Sequence, residues 1–118
     1  MSAIRIRRAY EAPGADDGER VLIDRIWPRG LSKEKAAIDR WMKELSPSTG
    51  LRKWYGHDPE RFDAFRRRYR DELMDNEAAL AELVALCRKG AVTLVFAARD
   101  ESRSNAAVLK ELLDERLR

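Results

Sequence analysis

The chain has 118 residues, enough for one domain that buries roughly two-thirds of its unfolded surface around a single core. Apolar residues make up 44% and charged residues 38%, which fits a soluble globule; no run approaches the roughly 18–20 apolar residues of a membrane span. One cysteine excludes an internal disulfide, one histidine excludes a multi-His metal centre, and the first residues lack the apolar stretch of a signal peptide. A cytoplasmic protein with no metal and no cofactor is therefore expected.

Residues 4–8, Ile-Arg-Ile-Arg-Arg, alternate apolar and basic as a half-exposed strand does. Residues 9–19 hold Pro13, Gly14, Asp16, Asp17 and Gly18 and read as a loop. This loop is short for a crossover, which leaves an antiparallel first strand open. Val21-Leu22-Ile23 begins a more buried strand over 21–26, ended by Trp27-Pro28-Arg29-Gly30, since proline cannot donate to a ladder. Ser32 is placed to cap a short helix through Ala37.

Ile38, Trp41, Met42 and Leu45 have helical spacing, yet 38–45 reads equally as a strand. After the break at Ser46–Gly50, Leu51, Trp54 and Tyr55 suggest one or two helical turns. Pro59 stands near the start of a longer helix with a stripe of Phe62, Phe65, Tyr69 and Leu73. A soft point at Asp75-Asn76 precedes a second stripe, Leu80, Leu83, Val84 and Cys87, which stops at Lys89-Gly90. Cys87 is expected to be a buried thiol. Val92–Phe96 is apolar and rich in β-branched residues, the pattern of a central strand. A polar loop, Arg99–Ser104, leads to a last helix capped by Ser104 or Asn105. Residues 1–118 thus read as a single α/β domain, with a small, mostly parallel sheet of three to four strands and helices packed on its faces.

Net charge is +3, and 18 of the 24 basic residues are arginine. The densest run, Arg61 to Arg70, has five arginines, with Asp63, Asp71 and Glu72 at i,i+4 positions to pair with Arg67 and Arg68. In open α/β sheets ligands bind beyond the carboxyl ends of strands. Two strands here end in basic, polar turns: Asp24, Arg25, Trp27, Arg29 and Gly30 after the second, and Arg99, Asp100, Arg103, Ser104 and Asn105 after the last. If the strands are neighbours and parallel, both turns meet at one rim, beside the unpaired N–H groups that open the last helix. Arg25 and Arg99 then act as anion clamps with Ser104 and Asn105 as neutral donors and Asp24 or Asp100 as orienting carboxylates. The competing reading pairs Arg25 with Asp24 and Arg99 with Asp100. His57, the only imidazole, reads as a surface residue, and Trp27 as lid packing or a pocket wall.

Asp24-Arg25-Ile26-Trp27-Pro28-Arg29-Gly30 resembles a bacterial family known as domain of unknown function 488, in its YeaO-like branch. The resemblance continues at Pro47-Ser48-Thr49 with Leu51-Arg52-Lys53, at Phe65-Arg66 with Tyr69, and from Thr93 to Asp100 with Asn105 and Ala106. It implies a cytoplasmic α/β fold and a strand for part of 38–45, and it implies no activity. Wider members carry cysteines and a Cys-His-Arg string after the strand matching 92–96. Here those places hold Phe96, Ala97, Ser104, Asn105 and Ala106, so no thiol chemistry carries over.

The reading that follows is a protein that takes a small phosphate- or carboxylate-bearing ligand at the strand-end rim, as a binder or as an enzyme. A protein-interaction module using Trp54, Tyr55 and Phe62 comes second. Nucleic-acid binding through the Arg66–Arg70 run comes third, and no membrane partner is expected.

Overall fold

The computed structural model describes residues 4–118. Its strands are Ile4–Arg8 (β1), Glu19–Leu22 (β2), Arg40–Trp41 (β3) and Val92–Phe96 (β4), joined in one sheet of order β1-β4-β2-β3. Every pairing is parallel: β1 runs beside β4 from Ile4↔Val92 to Arg8↔Phe96, and β2 beside β4 from Glu19↔Val92 to Leu22↔Val95. β3 pairs with β2 at Val21↔Arg40 and Leu22↔Trp41. All five residues of β4 are buried, as its unbroken apolar run requires.

Strand alternation sorts the side chains onto two faces. Ile4, Ile6, Val21, Val92, Leu94 and Phe96 meet the main core, which the helices Thr49–Tyr55 (α2), Phe62–Asp75 (α3), Glu77–Lys89 (α4) and Asn105–Arg116 (α5) complete. Leu22 and Val95 point the other way, into a smaller cluster with Ala9, Trp27, Leu31, Ile38 and Trp41. The short helix Lys33–Ala36 (α1), capped by Ser32, lies in the segment between β2 and β3. Helices therefore cover one face, and extended chain with one helical turn covers much of the other.

The connection between β1 and β2 holds no helix, yet the strands are parallel. An extended chain gains about 3.3 Å per residue, so residues 9–18 suffice to step over β4 and return to its start. Four contacts fasten this crossing. The Thr93 hydroxyl donates to the Asp17 carbonyl at 2.8 Å. The buried Asp17 carboxylate accepts from the Gly14 N–H at 2.9 Å and pairs with Arg20 at 2.5 Å. Arg7 stands 3.4 Å from its other oxygen. At Gly18, φ is +64° and an added Cβ would lie 2.2 Å from the Ala91 carbonyl oxygen, so only glycine fits.

The second strand is shorter than its apolar run. Ile23 still donates to Val95, at 3.1 Å, but the next donor across the pair, the Ala97 N–H, goes to the Asp24 carboxylate at 2.9 Å. A side chain thus replaces the backbone and ends the ladder. In 38–45 the strand is only Arg40–Trp41, followed by a 3₁₀ turn at Lys43–Leu45. Its helix-like spacing arises because Ile38 and Trp41 serve the smaller cluster while Met42 and Leu45 serve the main core.

The arginines of α3 are paired differently from the expected i,i+4 pattern. Arg66 bonds Glu111, and Arg70 reaches Glu111 at 3.2 Å and Glu115 at 2.8 Å, so the charge ties α3 to α5. Glu72 instead accepts from the N–H and hydroxyl of Ser48 at 2.7 and 2.6 Å. Nor do Trp54, Tyr55 and Phe62 form an open apolar patch. Tyr55 is buried and stacked on Phe65 at 4.3 Å, Phe62 packs on the core, and the guanidinium groups of Arg61 and Arg68 lie over the Trp54 ring.

Candidate functional site

The C-terminal ends of β2 and β4 diverge. β2 leads toward α1 and β3, whereas β4 leads into α5, which packs on β1 and β4. Such a switch point leaves a crevice outside the strand ends. A cleft of about 600 Å³ occupies it, lined from both turns by Asp24, Arg25, Trp27, Arg29, Arg99, Asp100, Ser104 and Asn105. Of the residues expected at the site, Gly30 alone is off this wall. Its φ of +76° serves the turn in which the Leu31 N–H reaches the Pro28 carbonyl.

Asp24 and Asn105 hold the two turns together. One Asp24 oxygen accepts from the Ala97 N–H at 2.9 Å, the other from the Asn105 amide nitrogen at 3.0 Å. That same nitrogen donates to the Ile23 carbonyl at 3.1 Å. Burial raises the Asp24 carboxyl above its ordinary value, although these two bonds and the charges of Arg52 and His57 pull the other way.

Asp100 serves its own loop. Its carboxylate accepts from the Ser102 N–H at 3.1 Å, the Ser102 hydroxyl at 2.8 Å and the Arg103 guanidinium at 3.1 Å. These bonds from Ser102 and Arg103 depress its pKa. The Ser104 hydroxyl caps α5 by accepting from the Ala107 N–H at 3.1 Å, and it donates to the Glu101 carbonyl at 2.8 Å. The hydrogens of Ser104 and Asn105, expected to face a ligand, are thus engaged within the protein.

The arginines behave otherwise. Neither the Arg25–Asp24 nor the Arg99–Asp100 pair forms, and among the described residues Arg25, Arg29, Arg52 and Arg99 make no ion pair. All four are exposed at the cleft. Trp27, half-buried, donates from its indole to the Leu31 carbonyl at 2.7 Å and meets Trp41 edge-on, so it is both lid and wall.

Sequence reasoning passed over the third side of the cleft, formed by Pro47, Arg52, Tyr55, His57 and Phe65. Gly56 and His57 both adopt left-handed backbone, at φ +53° and +60°, which turns the chain sharply out of α2 and sets the imidazole at the cleft. The Tyr55 hydroxyl then donates to the Arg103 carbonyl at 2.8 Å. Gly56 was the one available signal, as a helix-ending residue.

Comparison with known proteins gives relatives along nearly the whole chain. An uncharacterised protein of Mycobacterium tuberculosis (strain H37Rv) is 51% identical over 113 residues, covering 96% of this chain and 95% of its own. Another from Mycobacterium bovis shows the same identity and coverage. The uncharacterised protein YeaO of Escherichia coli (strain K12) is 36% identical over 110 residues, 93% of this chain and 96% of its own. No solved structure matches. The family profile described as the inactive DUF488-N3 subclade spans residues 3–118. With Asp24, Trp27 and Arg99, from the strings that carry the resemblance, found around one cleft, the family profile and these relatives show that the chain belongs to the DUF488 family, in its YeaO-like branch.

Proposed function

We propose that the cleft binds a small anion bearing a phosphate or carboxylate group, without turning it over. The observation that carries this is four arginines, Arg25, Arg29, Arg52 and Arg99, gathered at one cleft with no carboxylate partner among the described residues. A guanidinium presents a planar fork suited to carboxylate and phosphate oxygens. A volume of about 600 Å³ lies within the range of roughly 300–1,000 Å³ typical of small-molecule sites. The subclade's description as inactive supports binding over turnover.

This reading sets the protein in the cytoplasm, among phosphorylated metabolites, in keeping with its single buried thiol. Thermal unfolding with a library of phosphates and carboxylates tests it. A ligand at about 100 times its dissociation constant adds about 2.7 kcal/mol, or a Tm rise on the order of 10 °C for a chain this size. Replacing Arg29 and Arg99 together by Ala is expected to abolish that rise. No response to any compound, or an equal response in the double variant, overturns the proposal.

A further inference from the structure

The cleft is polarised from mouth to floor. Its arginines are exposed at the mouth, whereas Asn105, Tyr55 and Phe65 are buried and Asp24 is partly so. The floor offers acceptors and no side-chain amide donor. Both amide hydrogens of Asn105 are taken, one by the Ile23 carbonyl and one by Asp24, and because a carbonyl only accepts, this fixes which end of the amide is nitrogen. Among the described residues nothing donates to the Asn105 oxygen, and each Asp24 oxygen takes a single hydrogen bond, leaving lone pairs to spare. An anionic group at the floor would meet the Asp24 carboxylate and be repelled. It must sit at the mouth, and whatever reaches the floor must donate.

The lining also includes Trp27, Pro47, Tyr55, Phe65 and Ala97, which suit a flat apolar body. A bare phosphate would fill only a fraction of this space.

Resting on the anion-binding reading above, we infer that the ligand is a ring-bearing anion with an N–H or O–H donor at the end away from its charge. Asp24 and Asn105 select it through that donor, and nucleoside monophosphates are the accessible example of the class.

Calorimetric titration of the full chain separates the parts. The probes are the monophosphates of adenosine, guanosine and cytidine, and phenyl phosphate, which has ring and anion but no such donor. At least one nucleotide is expected to bind about tenfold or more tightly than phenyl phosphate, the worth of a hydrogen bond to a charged group. Asp24→Asn, which places an amide among the acceptors, is expected to cut that ratio below about threefold. Should this variant fail to fold, the wild-type protein decides: purine riboside monophosphate, which keeps the ring and phosphate but lacks the donor on the base, is expected to bind about tenfold or more weakly than the tightest nucleotide. Equal affinities in either comparison overturn the donor selection while leaving the anion site standing. Binding of neither probe class, or affinities untouched by the Arg29 and Arg99 replacements, removes both.

Discussion

Burial lifts the Asp24 carboxyl above its ordinary 3.8 despite the bonds from Asn105 and Ala97. The folded state therefore holds a proton there more tightly than the unfolded chain does, and ionised Asp24 costs stability at neutral pH. That cost is relieved as pH falls through the raised value toward 3.8. Asp17 works in the opposite sense. Burial also pushes it up, but the Gly14 N–H, Arg20 and Arg7 outweigh that and hold it below 3.8. Its contribution is complete above 3.8 and is lost as pH falls through the depressed value. Urea unfolding across this range is expected to show the wild type gaining on Asp24→Asn as pH drops toward 3.8, and losing ground to Asp17→Asn below it. At neutral pH, Asp17→Ala strands the buried Arg20 charge and is expected to cost about 3–5 kcal/mol. Asn105→Ala leaves the Ile23 carbonyl without its side-chain donor and Asp24 with the Ala97 N–H alone, a loss of about 1–3 kcal/mol in the same measurement.

At the scale of elements, two positions set sharp limits. Gly18 joins the crossing segment to β2 in left-handed backbone against Ala91, and in urea unfolding Gly18→Ala is expected to cost more than the ~1–3 kcal/mol of the backbone conformation alone, because its Cβ also meets the Ala91 carbonyl. Cys87, fully buried on α4, has its thiol pushed up to about 11 by burial, with Asp114 adding to the effect. At pH 7–8 it is expected to resist maleimide in the native protein and to label within minutes in urea, as mass spectrometry would record. Elements with strong local signals were legible. Val92–Phe96 needs two covered faces, Ser32 and Ser104 cap the helices they precede, and Asn76 parts α3 from α4. β3 was not, since two residues carry no periodicity and its neighbours divide between two cores. The direction of β1 was hidden for a related reason. What permits a helix-free parallel crossing is a set of contacts from Asp17 to Arg7, Arg20 and Thr93, and the last lies 76 positions away.

Across the whole molecule, the candidate site was half visible. Strand ends are predictable from apolar runs, so the turns after β2 and β4 were identified together. Arg52 and His57 were not, because no local pattern tells which helix end will swing beside those turns. The identity of each arginine's neighbour was equally out of reach. Asp24 and Asp100 stand next to Arg25 and Arg99 in the chain but spend their oxygens on Asn105, Ala97, Ser102 and Arg103.

The Asn105 amide spans 82 positions to reach Ile23, and the carboxylate beside it spans 73 to reach Ala97. Without residue 105 both strands remain, but the amide bonds that join their tips are lost. The join between the two turns therefore depends on one side-chain amide at the start of α5. Amide exchange at Ala97, whose N–H is held by Asp24, is expected to report the opening of this join, and the proposed anion is expected to slow it further.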